Sequence, residues 1–424
     1  MRSIRLILAA VAFNALAATP GSTLETMVVD GACHLDGFAK PLRQTIVVID
    51  QLSIIPTTAE DIGDANRRWL NTVLSIAGVQ EGQASVIAAP RERLTVVVAS
   101  EDGGDLIRVF TGCSPIYSQD EIAEMKKSST GIRGGFEWFI GKDVQNRVEN
   151  ELKSFRSKLT DALAELPKMT RPKEAAVVKD GTPLFLEAFA LLSSSIDLGE
   201  GVPRVFVLSA MNSEALRSFK DVKTARSKGF ELAERVGGDL QRAEVYVNGV
   251  SGNSGKFARD FSHAFFLGIK GRLAGISGES LPAVSDPPRA LQVFSGVIDY
   301  GGVKAPMQIR LASDRSGSLV NSWVEVTVKR PTATPLTGKA LCKNPETCDV
   351  TGDGKEFAQA WVLDPSADTM SKFDESLPFS GVRYFEFTTS QAGAKGRAYD
   401  PLVTSINGRK ELSFGLSRTP MVRF

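Results

Sequence analysis

Gln44-Thr-Ile-Val-Val-Ile-Asp50 is the stretch that decides the fold of the first half of this 424-residue chain. Its five consecutive β-branched residues include a continuous apolar run, which does not alternate with polar positions. Such a run is typical of a strand that is buried on both faces of a parallel sheet. Asp50 ends the run, so we expect its carboxylate where the strand meets a loop.

Further strands and helices alternate after this stretch. Apolar runs predict the strands, and apolar residues at helical spacing predict the helices. The alternation indicates an α/β fold with a doubly wound, mostly parallel sheet. The predicted strands cover 93–100, 106–111, 203–208 and 243–247, with a hairpin turn at 102–105, and the predicted helices cover 61–77, 143–166, 182–192, 214–236 and 256–269.

The pattern changes after Pro282, and Pro287-Pro288 marks a domain boundary. Short alternating segments follow, separated by Gly, Pro, Ser and Asp. This pattern predicts a smaller all-β domain, either a sandwich or a barrel. The segments are 291–298, 307–311, 320–329, 358–363, 382–388 and 412–416.

The first residues have the features of a cleaved secretory signal. Arg2 and Arg5 precede an apolar stretch from Leu6 to Ala18 that ends in small residues. A membrane-spanning helix needs about 20 apolar residues, so cleavage is favoured over an uncleaved anchor. We therefore expect a periplasmic or secreted protein with no transmembrane segment in the mature chain. The predicted organisation is signal peptide 1–18, lead-in 19–43, first domain 44–282 and β-rich domain 288–424.

Four cysteines fit an oxidising compartment, and three pairings are possible. Cys342 and Cys348 flank a turn-rich stretch that favours a local disulfide, which leaves Cys33 with Cys113. Zinc is the alternative, but the chain has only two histidines and no Cys-x-x-Cys pair.

The charge balance excludes one class of partner. Fifty basic residues stand against 49 acidic ones, for a formal net charge of +1. This balance provides no extended basic face for nucleic acid. We therefore expect no nucleic-acid partner, and the charge balance says little else about what the protein binds.

Three motifs in the first domain indicate which family its fold resembles. The first strand ends in Asp50-Gln-Leu-Ser53, a loop before a helix contains Gly181-Thr182-Pro183, and the fourth strand ends near Ser209-Ala210. In order and placement, the first domain resembles a von Willebrand factor A domain. The resemblance implies a divalent-cation site made by Asp-x-Ser-x-Ser, a loop threonine and a strand-end aspartate, completed by a carboxylate of a partner protein.

Here the metal-binding pattern is degenerate. Asp50 and Thr182 match, but Leu52 and Ile54 occupy the two serine positions and Ala210 occupies the aspartate position. Two oxygen ligands do not replace the hydration shell of Mg²⁺, so we expect no cofactor at this site. The loops at the carboxyl ends of the strands are still the expected binding face. The candidate binding residues are Asp50, Ser53, Thr182, Ser209, Ser251 and Asn253.

A second candidate metal site lies in the β-rich domain. Asp349-Val-Thr351-Gly-Asp353-Gly has oxygen side chains at positions 1, 3 and 5 and glycine at 6, as in the first half of an EF-hand calcium loop. Glu356 stands nearby as a further ligand, although position 12 is Ala360. The alternative is a turn rich in Asp and Gly that follows the Cys342–Cys348 staple.

No catalytic constellation is present in the sequence. The loop 249–256 has five residues between its glycines and Phe257 after the lysine, so it departs from a phosphate-binding loop. His34 and His263 have no nucleophile motif beside them. The sequence thus predicts a non-enzymatic, exported protein-binding module. The alternatives are a hydrolase of unrecognised type and a structural subunit of an envelope or secretion assembly.

Overall fold

The computed structural model describes two packed domains. The described residues are 26–29, 32–33, 41–51, 62–80, 88–100, 104–130, 137–164, 166, 183–196, 201–211, 213–250, 256–278, 280–288, 290–300, 303–327, 331–344, 346–354, 383–399 and 411–419. The predicted signal peptide lies outside them.

A seven-stranded, mostly parallel sheet forms the centre of the first domain. Its strands are β1 (Met27–Val29), β2 (Arg43–Asp50), β3 (Arg93–Ala99), β4 (Leu106–Cys113), β5 (Val202–Leu208), β6 (Glu244–Asn248) and β7 (Arg272–Ser277). They lie side by side in the order β1-β4-β3-β2-β5-β6-β7. β1 and β4 run antiparallel to the other five strands. The predicted α/β class is confirmed.

Helices cover both faces of this sheet. They are α1 (Ile62–Ile76), α2 (Gln119–Thr130), α3 (Glu137–Ala164), α4 (Phe189–Leu192, between 3-10 turns Leu184–Ala188 and Ser193–Ser195), α5 (Glu214–Ser218), α6 (Val222–Val236) and α7 (Ala258–Gly268). Alternate residues of β2 face two separate cores. Ile46 and Val48 pack with α4, α6 and α7, whereas Val47 and Ile49 pack with α1 and α3. The continuous apolar run is therefore explained by burial on both faces.

Several predicted boundaries in this domain are wrong. The predicted helix 214–236 is two helices, because Ser213 caps α5 by accepting from the Leu216 amide and Asp221 caps α6 by accepting from the Thr224 amide. The predicted helix 182–192 is mostly 3-10 turn in its described part. The strands β1 and β7 and the helix α2 were not predicted.

The lead-in is part of the first domain. β1 pairs with β4 at the edge of the sheet, and the predicted disulfide between Cys33 and Cys113 follows it directly. The bond joins the end of β4 to the lead-in across 80 residues of sequence. The domain therefore begins before residue 44, and its first strand is tied covalently to the sheet.

The second domain is a closed, eight-stranded antiparallel barrel. Its strands are β8 (Ala290–Tyr300), β9 (Val303–Ser313), β10 (Ser322–Thr327), β11 (Pro331–Asn344), β12 (Thr347–Asp353), β13 (Tyr384–Thr389), β14 (Gly393–Tyr399) and β15 (Glu411–Thr419). β9 pairs with β10 and closes the barrel. Of the two predicted architectures, the barrel is confirmed. The predicted segment 358–363 lies outside the described residues.

The second predicted disulfide lies within the barrel. Cys342 of β11 and Cys348 of β12 are directly opposite each other in the hairpin and are bonded. The staple therefore links two adjacent strands, and the two cysteine pairings are both confirmed.

The barrel docks on the first domain through an apolar patch that we call the seam. Trp323 of β10 is only 1% exposed, and it packs with residues of α6, α7 and β11. The seam consists of Phe230, Ala264, Leu267, Trp323 and Ala333. Because large aromatic side chains dominate such contacts, Trp323 is its central residue.

Polar contacts beside the seam fix which edge of the sheet the barrel covers. The Asn321 amide group donates to the Pro203 carbonyl (3.0 Å), and the Asn321 backbone amide donates to Glu244 Oε1 (3.1 Å). Pro203 and Glu244 lie at the starts of β5 and β6. The barrel therefore contacts the amino edge of the parallel strands.

Buried arginines accompany this contact. Arg204 of β5 donates to Glu92 Oε1 (2.8 Å), and both side chains are almost fully buried. Burial lowers the pKa of Arg43 to about 10, with a further lowering by the neighbouring charge of Arg204. Burial likewise lowers the pKa of Arg310 to about 9, with a contribution from Arg242. Both lowered pKa values remain above neutral pH, so Arg43 and Arg310 stay protonated and place buried positive charge beside the amino edge.

Among the described helices, none has the length and apolar character needed to cross a membrane.

Candidate functional site

The candidate site lies at the carboxyl edge, where β2, β3, β5, β6 and β7 end. Asp50 is the last residue of β2, and Ser209 directly follows β5. These two strands are neighbours, and the chain order along the sheet reverses between them. Ligands of open α/β sheets bind at such a switch point, outside the carboxyl ends of the strands.

Asp50 and Ser209 form a buried hydrogen bond at this point. The Ser209 hydroxyl donates to Asp50 Oδ2 at 2.7 Å, and the Ser209 hydroxyl oxygen accepts from the Met211 amide at 3.0 Å. Asp50 is 5% exposed and Ser209 is 1% exposed. Because the Met211 amide occupies a lone pair of the hydroxyl oxygen, it orients the hydroxyl proton toward the carboxylate.

Two uncommon backbone conformations support this arrangement, one shortly after β5 and one directly after β6. Met211 has a left-handed backbone with φ of 48°, an uncommon conformation for a residue with a side chain. Gly249, which follows β6, has φ of +103°, and a Cβ there would lie 3.0 Å from the Ser209 carbonyl oxygen. Glycine at position 249 thus lets the ends of β5 and β6 approach closely.

Asn248 extends the site toward β7. Its side-chain amide donates to the carbonyls of Gly278 (3.0 Å) and Ser280 (2.8 Å) and to the Ser277 hydroxyl (3.1 Å). These bonds fasten the segment after β7 to the end of β6. Sequence reasoning missed Asn248, although a carboxamide at a strand end followed by glycine was a usable signal.

The structure brings together two of the predicted binding residues, Asp50 and Ser209. The other four lie outside the described residues: Ser53, Thr182, Ser251 and Asn253. In the described part of the chain, no three His, Cys, Asp or Glu side chains are grouped so as to hold a metal ion. Across the switch point, the Asp50 carboxylate has the Ser209 hydroxyl as a hydrogen-bond donor.

The predicted calcium loop has a different conformation. Asp349, Thr351 and Asp353 lie in β12, which pairs with β11 and β13, so both the loop and the alternative turn are wrong. The three side chains occupy every second position of the strand and all lie on its outer face, so they do not converge as they would in a loop. Asp349 accepts a hydrogen bond from Thr388 (3.0 Å). Glu356 lies outside the described residues, and calcium binding at this strand stays a prediction.

Neither a protein-family model nor a curated protein sequence matches the chain.

Proposed function

We propose that this chain is an exported, non-enzymatic module that binds a protein partner at the carboxyl edge of a von Willebrand factor A-like domain, without a bound metal. The observation that carries the proposal is the hydrogen bond between Asp50 and Ser209 at the switch point of the sheet. In the family that the domain resembles, a cation and a partner carboxylate meet at this place. Here a serine hydroxyl takes the position beside the aspartate.

The chemistry of Asp50 favours a metal-free site. A buried carboxylate needs compensation, and a hydroxyl donor oriented by a backbone amide supplies part of it. A cation at Asp50 would have to displace the Ser209 proton from the carboxylate. It would also need several more oxygen ligands to replace its water shell.

The position of the barrel supports the choice of the carboxyl edge. The barrel contacts the amino edge through Asn321 and the seam, so that edge is already occupied. The carboxyl edge is the place where open α/β sheets bind their ligands. The two disulfides support export, because such bonds persist in oxidising compartments.

Capture of a partner with matched variants tests the proposal. Ala210→Arg places a long charged side chain at the carboxyl edge, beside Ser209, whereas Thr351→Arg places the same side chain on the exposed outer face of the barrel. We expect a protein from the secreted or envelope fraction to be retained by wild type and T351R, but not by A210R. Retention is expected to persist in EDTA.

Two results would contradict the proposal. If A210R retains the same proteins as wild type, the carboxyl edge is not the binding face. If EDTA releases the partner and Mg²⁺ restores it, binding depends on a metal after all. Circular dichroism of A210R serves as the control for folding.

A further inference from the structure

A cleft of about 330 Å³ lies beside α5 and α6. Its floor is apolar and is made by Ala215, Phe219 and Leu232. The Phe219 ring stacks on the Phe261 ring with centroids 5.8 Å apart, which holds the floor in place. The volume is at the lower end of the range for ligand pockets, so the cleft admits a side chain or two of a larger partner.

The walls of the cleft carry an excess of positive charge. Lys220, Lys228 and Arg235 line it, together with Glu231. Arg235 is already paired with Glu187, at 3.1 Å, so the excess of positive charge rests on Lys220 and Lys228. Lys228 pairs with Glu231 at 2.5 Å, but both side chains are more than half exposed. An exposed pair of this kind is weak, so an incoming carboxylate competes with it readily. Lys220 has no ion pair with any residue that the structure describes.

The cleft also stands close in sequence to the carboxyl edge. α5 begins directly after Ser213, only a few residues beyond Ser209, and Lys220 lies in the turn between α5 and α6. A partner that covers the end of β5 thus has the α5–α6 turn within reach. Since the whole chain is close to electrically neutral, this local cationic surface is a distinguishing feature.

We propose that the cleft binds an acidic peptide segment of the protein partner, with one apolar side chain on the floor and flanking carboxylates at Lys220 and Lys228. The proposal rests on the proposed function for the statement that the partner is a protein. An apolar anchor surrounded by charge pairs at the rim is a common arrangement in protein interfaces. The excess of lysine in the cleft disfavours a basic segment.

A labelled peptide provides the test. The probe is fluorescein-labelled Glu-Glu-Leu-Glu-Glu, and binding to the full chain is measured by fluorescence anisotropy at fixed ionic strength. We expect the double variant Lys220→Glu, Lys228→Glu to weaken binding at least tenfold. The matched control is Lys153→Glu, Lys158→Glu, which makes the same charge change on the exposed side of α3 and is expected to change the Kd less than twofold.

Coupling with a carbodiimide then locates the peptide. The reagent joins a peptide carboxylate to a lysine Nζ as an amide, and the oxygen that is lost leaves in the urea formed from the carbodiimide. Mass spectrometry is expected to find the amide at Lys220 or Lys228. Equal binding by both double variants, or amides spread over unrelated lysines, would overturn the proposal.

The two proposals fail separately. If A210R still captures the partner while the peptide couples to Lys220, the carboxyl-edge function is wrong and the cleft stands. If A210R loses the partner but the peptide does not bind wild type, only the cleft proposal is wrong.

Discussion

Trp323→Ala is the change that best measures how firmly the barrel is docked. Trp323 is buried in the seam, and its indole Nε1 donates to Asn321 Oδ1 at 2.8 Å. Truncating a buried tryptophan to alanine costs about 3–5 kcal/mol, and the lost hydrogen bond adds about 1 kcal/mol. The expected total is a loss of about 4–6 kcal/mol in the free energy of unfolding.

The effect is expected to reach beyond the barrel. Asn321 donates to Pro203 and Glu244, so loss of its tryptophan partner loosens the contact with the amino edge of the sheet. At roughly 2–4 °C per kcal/mol, the melting temperature should fall by roughly 8–24 °C. Differential scanning calorimetry should also resolve two transitions, because the two domains then unfold separately.

Leu341→Ala is the matched control. Leu341 is also an apolar residue of the barrel, but it is 66% exposed, so its truncation should stay within about 0.5 kcal/mol. If W323A loses less than about 1 kcal/mol, like an ordinary surface change, the barrel is not held by the seam. The barrel would then not be what keeps the amino edge of the sheet occupied.

Three further changes test other contacts of the fold. Glu92→Gln leaves the buried Arg204 charge without its carboxylate and should cost about 3–5 kcal/mol by urea unfolding, whereas a neutral effect would mean that the pair is not formed. Replacing Cys33 and Cys113 by serine should cost about 4–5 kcal/mol, roughly twice the cost of opening the short barrel disulfide, because the closed loop is much longer. Arg310→Met should be neutral or stabilising by about 1–4 kcal/mol at pH 7, since Arg310 has no carboxylate partner among the described residues. The pKa of Arg310 in the folded chain, about 9, is below its ordinary value, so above pH 9 the unfolded chain holds more protons than the folded chain. The stability of the wild type therefore rises with pH. The stability advantage of R310M should accordingly shrink between pH 8 and pH 10.

The central sheet was predictable because burial on both faces leaves a direct trace in the sequence. Ile46 to Ile49 alternate between two apolar cores, which is why the run contains no polar position. The edge strand β7, Arg272–Ser277, is only half-buried along its length and contains glycine, so it has no comparable signal.

The barrel strands were harder to predict for a related reason. β14 contains Gly393 and Gly396, and β11 contains Pro335, residues that are poor strand formers. Their strand conformation depends on hydrogen bonds to the strands that precede and follow them in the chain, which their own composition does not reveal. Local composition therefore indicates loops where the closed barrel imposes strands.

The calcium motif shows how one spacing supports two structures. Oxygen side chains at positions 1, 3 and 5 of a loop have the same spacing as the exposed face of a strand, where every second residue points outward. Asp349 and Thr351 are exposed, whereas Cys348 before them and Val350 between them are buried. The alternation of apolar residues was the signal for the strand, and it outweighs the oxygen pattern.

The hydroxyl beside Asp50 also bears on where the proposed partner would be attracted. In a metal-dependent site, the cation itself draws a carboxylate of the partner to the switch point. In the proposed metal-free site, the Ser209 hydroxyl donates to the Asp50 carboxylate, and this place offers no net positive charge to an acidic residue. The cations of the α5–α6 cleft, Lys220 and Lys228, are then the nearby groups that can draw an acidic segment. An interaction of this kind is screened by salt, because the charges are exposed. The affinity of the chain for the labelled Glu-Glu-Leu-Glu-Glu peptide should therefore fall between 50 and 300 mM NaCl and stay constant on addition of EDTA. An affinity that is insensitive to salt but lost in EDTA would indicate instead that a metal at Asp50 attracts the acidic segment.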